Sequence, residues 1–331
     1  DVNPDAVAGL GALFEAVVST DAGQTAVAPG VLRRTWTEGG RSYFHYGSDV
    51  PIVGQYSFFS ADYAVHRERW TDVDVVFYHH PRDTANLSRM VRSARASLDY
   101  NTTQFGPYPY AFLQFVEQPA KGMGMGVDGS GVITGLEGFF LLTPKQELDA
   151  VFQIVAHEMA HQWWGVQLKY AFAEGAIVLS ESLAWYSAMQ LVKHVKDREA
   201  LRQLMSFMRE PNPWPPMRTG LPLLRAMDPW ANYRKAPYAM NALREYVGEE
   251  RINGALKRLI ETMRSVVERH HFHLGTREVD RGRKQIEPRH PRRHRRLGDR
   301  RAPDQDVVAR LLALRGRHTE PGRGVALGVK V

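Results

Sequence analysis

The stretch VAHEMAHQWWG, residues 155–165, decides how the rest of the chain is read. It sets His157 and His161 four positions apart, with Glu158 beside the first. An α-helix turns every 3.6 residues, so positions i and i+4 share a face and two imidazoles can be offered to one ion. Zinc accepts neutral imidazole in tetrahedral ligation, and a catalytic zinc needs a third protein ligand and an open place for water. A carboxylate beside that water can take its proton, which is the mechanical content of an HExxH pattern on a helix. The apolar run Val151, Phe152, Ile154 and Val155 ahead of the pair suits a buried site. The bland alternative is two helical histidines with no metal, and the availability of a third ligand weighs against it. Carboxylates follow at Glu174, in AFAEGA, and at Glu181, in LSESLAWYSA.

Composition narrows the alternatives. The 331 residues are 44% hydrophobic and 10% aromatic, enough for a sizeable core and incompatible with disorder throughout. There is no cysteine, so disulfides and thiolate metal sites are excluded and any metal must be held by His, Asp or Glu. The formal net charge of +7 is concentrated between Arg281 and Arg301, where ten Lys/Arg face two Asp/Glu. The remaining 33 basic and 34 acidic residues nearly cancel, so the main body carries no electrostatic signature of a nucleic-acid partner. No charged-then-apolar leader follows Asp1, and no apolar run reaches bilayer-spanning length. The expectation is a soluble piece of something longer.

Residues 1–82 read as β-rich. RSYFHY (41–46), QYSFFSADYAV (55–65) and DVDVVFYHH (72–80) carry β-branched and aromatic residues with partial alternation. Past residue 82 the period changes: Leu87, Met90, Val91, Ala94 and Leu98 recur at helical spacing, with Asp83 or Thr84 as the expected cap. FGPYPY ends that helix, AFLQFVEQ reads as a strand, and PAKGMGMGVDGSG as a long glycine-rich loop. Further helices are expected from TPKQELD through the His pair to Gly165, from near Ser180 through SLAWYSAMQLVKHV, over APYAMNALREYVGE and over RINGALKRLIETMRSVV. After residue 266 the only aromatic is Phe272, and arginine, histidine, glycine and proline dominate.

HEMAHQWWG followed by SESLA resembles the aminopeptidase N-type family of zinc metallopeptidases, the gluzincins with a thermolysin-like catalytic domain. In that family the third ligand is a Glu on the following helix, usually after eighteen intervening residues. Here nineteen separate His161 from Glu181, an offset that a loop insertion absorbs. The resemblance therefore implies one Zn2+ held by His157, His161 and Glu181, with Glu158 as general base and the loop residue Glu174 as the competing ligand. NYRKAPYAMNAL is similar to the family's Tyr-x-Lys-Gly segment, with Ala236 in place of the glycine. That implies Tyr233 as the donor to the developing oxyanion, with Tyr238 one turn on as its rival. GVIT (131–134) looks like the family's Gly-Leu-Ile-Thr. Counting back from it puts Asp128, with Gly126 before it, where a Gly-x-Met-Glu-Asn loop grips the substrate ammonium. The family's Glu and Asn are absent, so Asp128 is either a shifted amine anchor or the turn-forming Asp of an Asp-Gly pair.

The resemblance covers residues 40–262. It implies an α+β fold: a thermolysin-like, mainly helical zinc peptidase domain (83–265) behind a β-rich N-terminal portion (1–82), followed by a basic tail (266–331). The implied activity is hydrolysis of peptide bonds, foremost removal of N-terminal residues from peptide substrates. The alternative is a non-catalytic, zinc-binding extracytoplasmic module of a membrane transport complex. HQWWG and VLSESLAWYSA look closest to the extracytoplasmic domains of permease-like bacterial membrane proteins, which implies a membrane tether or permease-like partner region outside this chain. For the tail three readings stand: a solvated disordered segment, an anionic lipid or nucleic-acid binder, or the product of a shifted reading frame.

Overall fold

The computed structural model describes residues 11–53, 56–118, 122, 124–143, 148–169, 175–209, 222–225, 228–263 and 327–329. All elements named below belong to one unit, Asp1–Arg269 with Ala326–Val331. The basic segment Arg281–Arg301, the HHFH stretch at 270–273 and Glu174 lie outside the described residues.

The N-terminal part is built from strands β1 (Glu15–Asp21), β2 (Thr25–Val27), β3 (Val31–Glu38), β4 (Arg41–Gly47) and β5 (Phe59–Ala61). β1, β4 and β3 pair antiparallel, with β11 (Leu327–Val329) on the outer side of β1, and β2 pairs with β5 in a two-stranded sheet. A second sheet has the order β6 (Ala64–Trp70), β7 (Val73–His79), β8 (Phe112–Gln118), β10 (Val132–Leu136), β9 (Met125–Gly129). Its inner strands β7, β8 and β10 run parallel. β8, FLQFVEQ, is buried at six consecutive positions, the signature of a strand covered on both faces rather than one. Joining parallel β7 to β8 needs a crossover, and α1 (Leu87–Phe105) supplies it. The β-rich stretch 55–65 divides between sheets: β5 joins the small sheet and β6 the large one, with Asp62 and Tyr63 between them.

The helical part comprises α2 (Glu137–Phe140), α3 (Ala150–Ala160), α4 (Leu183–Val195), α5 (Arg198–Arg209), α6 (Ala236–Val247) and α7, residues 249–263. π-helical turns at Val178–Ser182 and Ala231–Lys235 lead directly into α4 and α6. Nearly every side chain of α3 is buried, so it is an interior helix packed between α1, α4 and the sheet rather than an amphipathic surface one. α5 is the opposite case, burying Leu201, Leu204 and Met208 on one face, and no expectation covered it.

Three differences from the sequence reading bear on the site. α1 starts at Leu87, not at an Asp83 or Thr84 cap. Asp83 is buried near Glu117, and the side chain of the N-cap residue Asn86 turns away to donate to the carbonyls of Phe140 and Leu142, at 2.9 and 2.6 Å. α3 ends at Ala160 rather than running to Gly165, but His161 keeps helical backbone angles as its C-cap, so the i,i+4 relation to His157 survives. The glycine-rich stretch read as a loop contains strand β9, because backbone pairing to β10 needs no side-chain propensity. Among the described residues no helix is long and apolar enough to cross a membrane. These β-rich sheets followed by a mainly helical region make an α+β fold.

Candidate metal centre

Asp149 opens α3 by accepting a hydrogen bond from the backbone N–H of Phe152 at 3.1 Å, a cap worth about 1 kcal/mol. At the other end two adjacent tryptophans, both fully buried, anchor the chain as it leaves the helix. Trp163 Nε1 donates to the Gly106 carbonyl at 2.9 Å, and Trp164 Nε1 to Ser187 Oγ at 2.8 Å. Gly165 follows with φ +112°, a left-handed conformation that favours glycine, and a Cβ there would press on Ser180 Oγ at 3.2 Å. This anchoring fixes where His157, Glu158 and His161 point.

His157 Nε2 and His161 Nε2 lie 3.2 Å apart, and Glu181 Oε2 is 3.3 Å from each. Tetrahedral bonds of about 2.05 Å to a zinc ion put neighbouring ligand atoms about 3.3 Å apart, so the three donors already have the spacing of one face of such a site. His161 Nδ1 is 3.0 Å from the Trp164 carbonyl, which can only accept. That contact puts the proton on Nδ1 and leaves Nε2 with its lone pair toward the other donors, the tautomer a metal requires.

The electrostatics agree with a site that holds positive charge. Burial disfavours the charged form of His161, but the hydrogen bond and charge of Glu181 outweigh this and raise the imidazole to about 9. Burial would raise the Glu181 carboxyl, yet its hydrogen bonds to His157 and His161 hold it well below the usual carboxylate range. Without a metal the cluster gathers protons, and a divalent cation meets the same demand. His157, His161 and Glu181 are the one group of three or more such donors found among the described residues.

Glu181 reaches this position from the π-turn Val178–Ser182. A π-turn carries one more residue than an α-turn. Tyr233 sits in the second π-turn, Ala231–Lys235, and the two turns are joined by Ser182 Oγ donating to the Asn232 carbonyl at 2.8 Å. Single π-turns inside helices concentrate at functional sites.

The donors open onto a cavity of about 870 Å³ that is also lined by Glu158, Tyr233, Trp185, Asp128 and Gly126. Glu158 is buried, and burial pushes its carboxyl up, partly opposed by the two histidines. The Tyr233 ring lies 6.2 Å from that of His157. Tyr238, the rival, bonds through its hydroxyl to the Met205 carbonyl on α5 and is not among the cavity-lining residues. Asp128 and Gly126 belong to β9, the edge strand that forms the far wall, and Asp128 also precedes the turn through Gly129 and Gly131, whose φ angles are +125° and +69°. Both features of Asp128 are therefore present, a place on the cavity and a place before a turn.

Two residues of the site had no sequence expectation. Gln162, fully buried, accepts from Gly131 N–H at 2.8 Å and donates to the Gly129 carbonyl at 3.2 Å, tying the β9–β10 turn to the end of α3. Trp185 stacks on the His157 ring with centroids 4.4 Å apart and planes 24° from parallel. The spacing offered a signal for the second, since Trp185 stands four residues after Glu181 and an i,i+4 pair on a helix shares a face.

No curated protein matches the chain in sequence. Among solved structures the fold is similar to the M1 zinc metallopeptidase from Deinococcus radiodurans, at 20% identity and TM-score 0.59, over 77% of this chain and 57% of that one. A mutant of that metallopeptidase bound to a Tyr-Ser-Ala substrate is similar at 19% identity and TM-score 0.57, over 76% of this chain and 57% of that one. The chain thus spans a little over half the length of the structures it matches. Residues 90–213, which include His157, Glu158, His161 and Glu181, match the model of the peptidase family M1 domain.

Proposed function

We propose that this chain is a zinc-dependent peptidase that removes N-terminal residues from peptides. The observation that carries the reading is the convergence of three metal-type donors 3.2–3.3 Å apart with a buried carboxyl and a phenol on one cavity. His157, His161 and Glu181 would hold one Zn2+, which when bound supplies Lewis-acid polarisation of the scissile carbonyl and a more acidic water.

The chain's own groups do the rest. Glu158 accepts the proton of the attacking water and passes it to the leaving nitrogen, a double role helped by the upward push of burial on its carboxyl. Tyr233 donates its phenolic proton in a hydrogen bond to the carbonyl oxygen as that oxygen gains charge. β9 offers a strand edge along the cavity that is unpaired among the described residues, a template for an extended peptide. Asp128 on that strand is the candidate partner of a free ammonium group. The Tyr-Ser-Ala peptide held by the D. radiodurans enzyme supports a peptide with a free N-terminus as substrate class. A structural zinc site needs neither a buried carboxyl nor a phenol beside it, which argues for catalysis over a metal-holding module.

The test is hydrolysis of a panel of aminoacyl-anilides by zinc-loaded protein, with Glu158→Gln as control. The expected result is turnover in the native protein and its loss by about 10³-fold in the variant at unchanged zinc content. Stoichiometric zinc with no turnover of anilides or longer peptides in either protein would sink the proposal.

A further inference from the structure

The two histidines of the metal centre are held in different ways. The ring of His161 is oriented through its Nδ1, which meets the Trp164 carbonyl at 3.0 Å and Ser180 Oγ at 3.4 Å. His157 also presents Nε2 to the other donors, so its metal-binding tautomer must carry the proton on Nδ1. That Nδ1 is buried and has no hydrogen-bond partner among the described residues. Metal-bound histidines almost always fix their ring through the second nitrogen, and among the described residues nothing does so for His157.

What the His157 ring has instead is the indole of Trp185, 4.4 Å away centroid to centroid and 24° from parallel. We propose that Trp185 is the positioning residue of His157, holding the imidazole by ring stacking where a hydrogen bond holds that of His161. This rests on the zinc-site reading above.

Three observations support it. Trp185 is 8% exposed, so its own orientation is set by packing and it can act as a fixed platform. Its Nε1 is buried without a hydrogen-bond partner among the described residues, so polar contacts of the indole do not account for its placement. Trp185 follows the π-turn that carries Glu181 by one helical turn, so the element that supplies the third donor also supplies the plate behind the first. The chemistry favours the metal-bound form. An imidazole that donates its Nε2 lone pair to a cation becomes electron-poor, and an electron-poor ring is attracted to the π face of an indole more strongly than a free one. The stack therefore favours His157 with metal over His157 without it.

The experiment compares native protein with Trp185→Phe and Trp185→Leu. It measures the zinc dissociation constant by chelator competition, the visible absorption of the cobalt-substituted protein, and the melting temperature of the metal-free protein. Trp185→Leu is expected to weaken zinc binding by about 10- to 100-fold, the usual cost of losing a group that orients a ligand, and to change the cobalt bands. Trp185→Phe, which keeps an aromatic face, should stay within a few-fold of native with near-native cobalt bands. If the leucine variant does not fold, Trp185→Met, unbranched and ringless, takes its place. Native affinity in the ringless variant overturns the proposal. So does equal loss in the phenylalanine and ringless variants in step with their metal-free melting temperatures, because that pattern is ordinary packing. Failure of the native protein to bind zinc would instead overturn the metal-site reading, and this inference with it.

Discussion

The two walls of the cavity are built on opposite principles. On one side α3 and the π-turn before α4 present His157, Glu158, His161 and Glu181, the first three buried and the whole wall pinned by Trp163, Trp164 and Asp149. On the other side β9 is half-buried at all five positions, lies at a sheet edge and is rich in glycine. The first wall fixes atoms to within the tolerance of metal ligation. The second offers backbone hydrogen-bonding groups with few side chains, which suits a ligand that varies in sequence but not in backbone. The difference teaches that chemistry and substrate handling are separable here, and mutations should sort accordingly.

The largest effect is expected at Glu158, where glutamine should lower turnover by about 10³-fold and leave zinc in place. Tyr233→Phe comes next. Losing one oxyanion donor lowers kcat by about 10²- to 10³-fold with KM little changed. A rise in KM alone would move Tyr233 from the chemical wall to the substrate wall.

Gln162 is the residue that joins the two walls, and its loss tests whether they are coupled. Gln162→Leu leaves the Gly131 N–H and the Gly129 carbonyl without their partner and should cost about 1–3 kcal/mol by denaturant unfolding. It should also raise KM, by letting β9 shift against α3. Stability lost with unchanged kinetics would mean the walls act independently.

Metal and proton compete on the first wall, which gives a pH prediction with a definite sign. His161 is raised from an ordinary value of 6.5 to about 9 in the metal-free protein. The stability this contributes is fully present below about pH 6.5 and lost as pH rises through 9. The melting temperature of chelator-treated protein should therefore fall across that window. Zinc must displace the His161 proton, so its apparent affinity should rise about tenfold per pH unit up to pH 9. A zinc affinity flat between pH 7 and 9 would show that the proton is not held there.

The smallest effect is expected on the far wall. Asp128→Asn should raise KM for aminoacyl substrates by about tenfold or less, because one half-buried charge on an edge strand is partly screened by solvent. It should leave kcat and zinc content alone. No change in KM, with a small loss of stability, would assign Asp128 to its turn.

Much of the metal wall was legible in the sequence because it depends on helical periodicity, which is local. His157, Glu158 and His161 follow from one turn of one helix. The third donor needed the resemblance as well, since Glu174 and Glu181 are both within reach in sequence. Tyr233 and Tyr238 differ by five positions, and sequence could only rank them. In the structure Tyr233 lines the cavity, while the Tyr238 hydroxyl bonds to the Met205 carbonyl on another helix. The far wall was misread as a loop, since five glycines between residues 119 and 131 hide a strand whose pairing is made entirely by backbone. α5 was not foreseen either, although its apolar positions Leu201, Leu204 and Met208 have helical spacing.

What the sequence determined by itself is therefore the chemistry: which side chains can meet on one helix face, and that no thiolate competes with them. What only the tertiary structure decided is how those side chains are aimed. The 3.2–3.3 Å spacing of the donors, the tautomer of His161 and the stack of Trp185 on His157 all depend on groups brought together from separate elements. The physical reason is one of range. Helical geometry repeats every few residues, but a ring orientation is set by whichever atoms pack against it, and those come from anywhere in the chain.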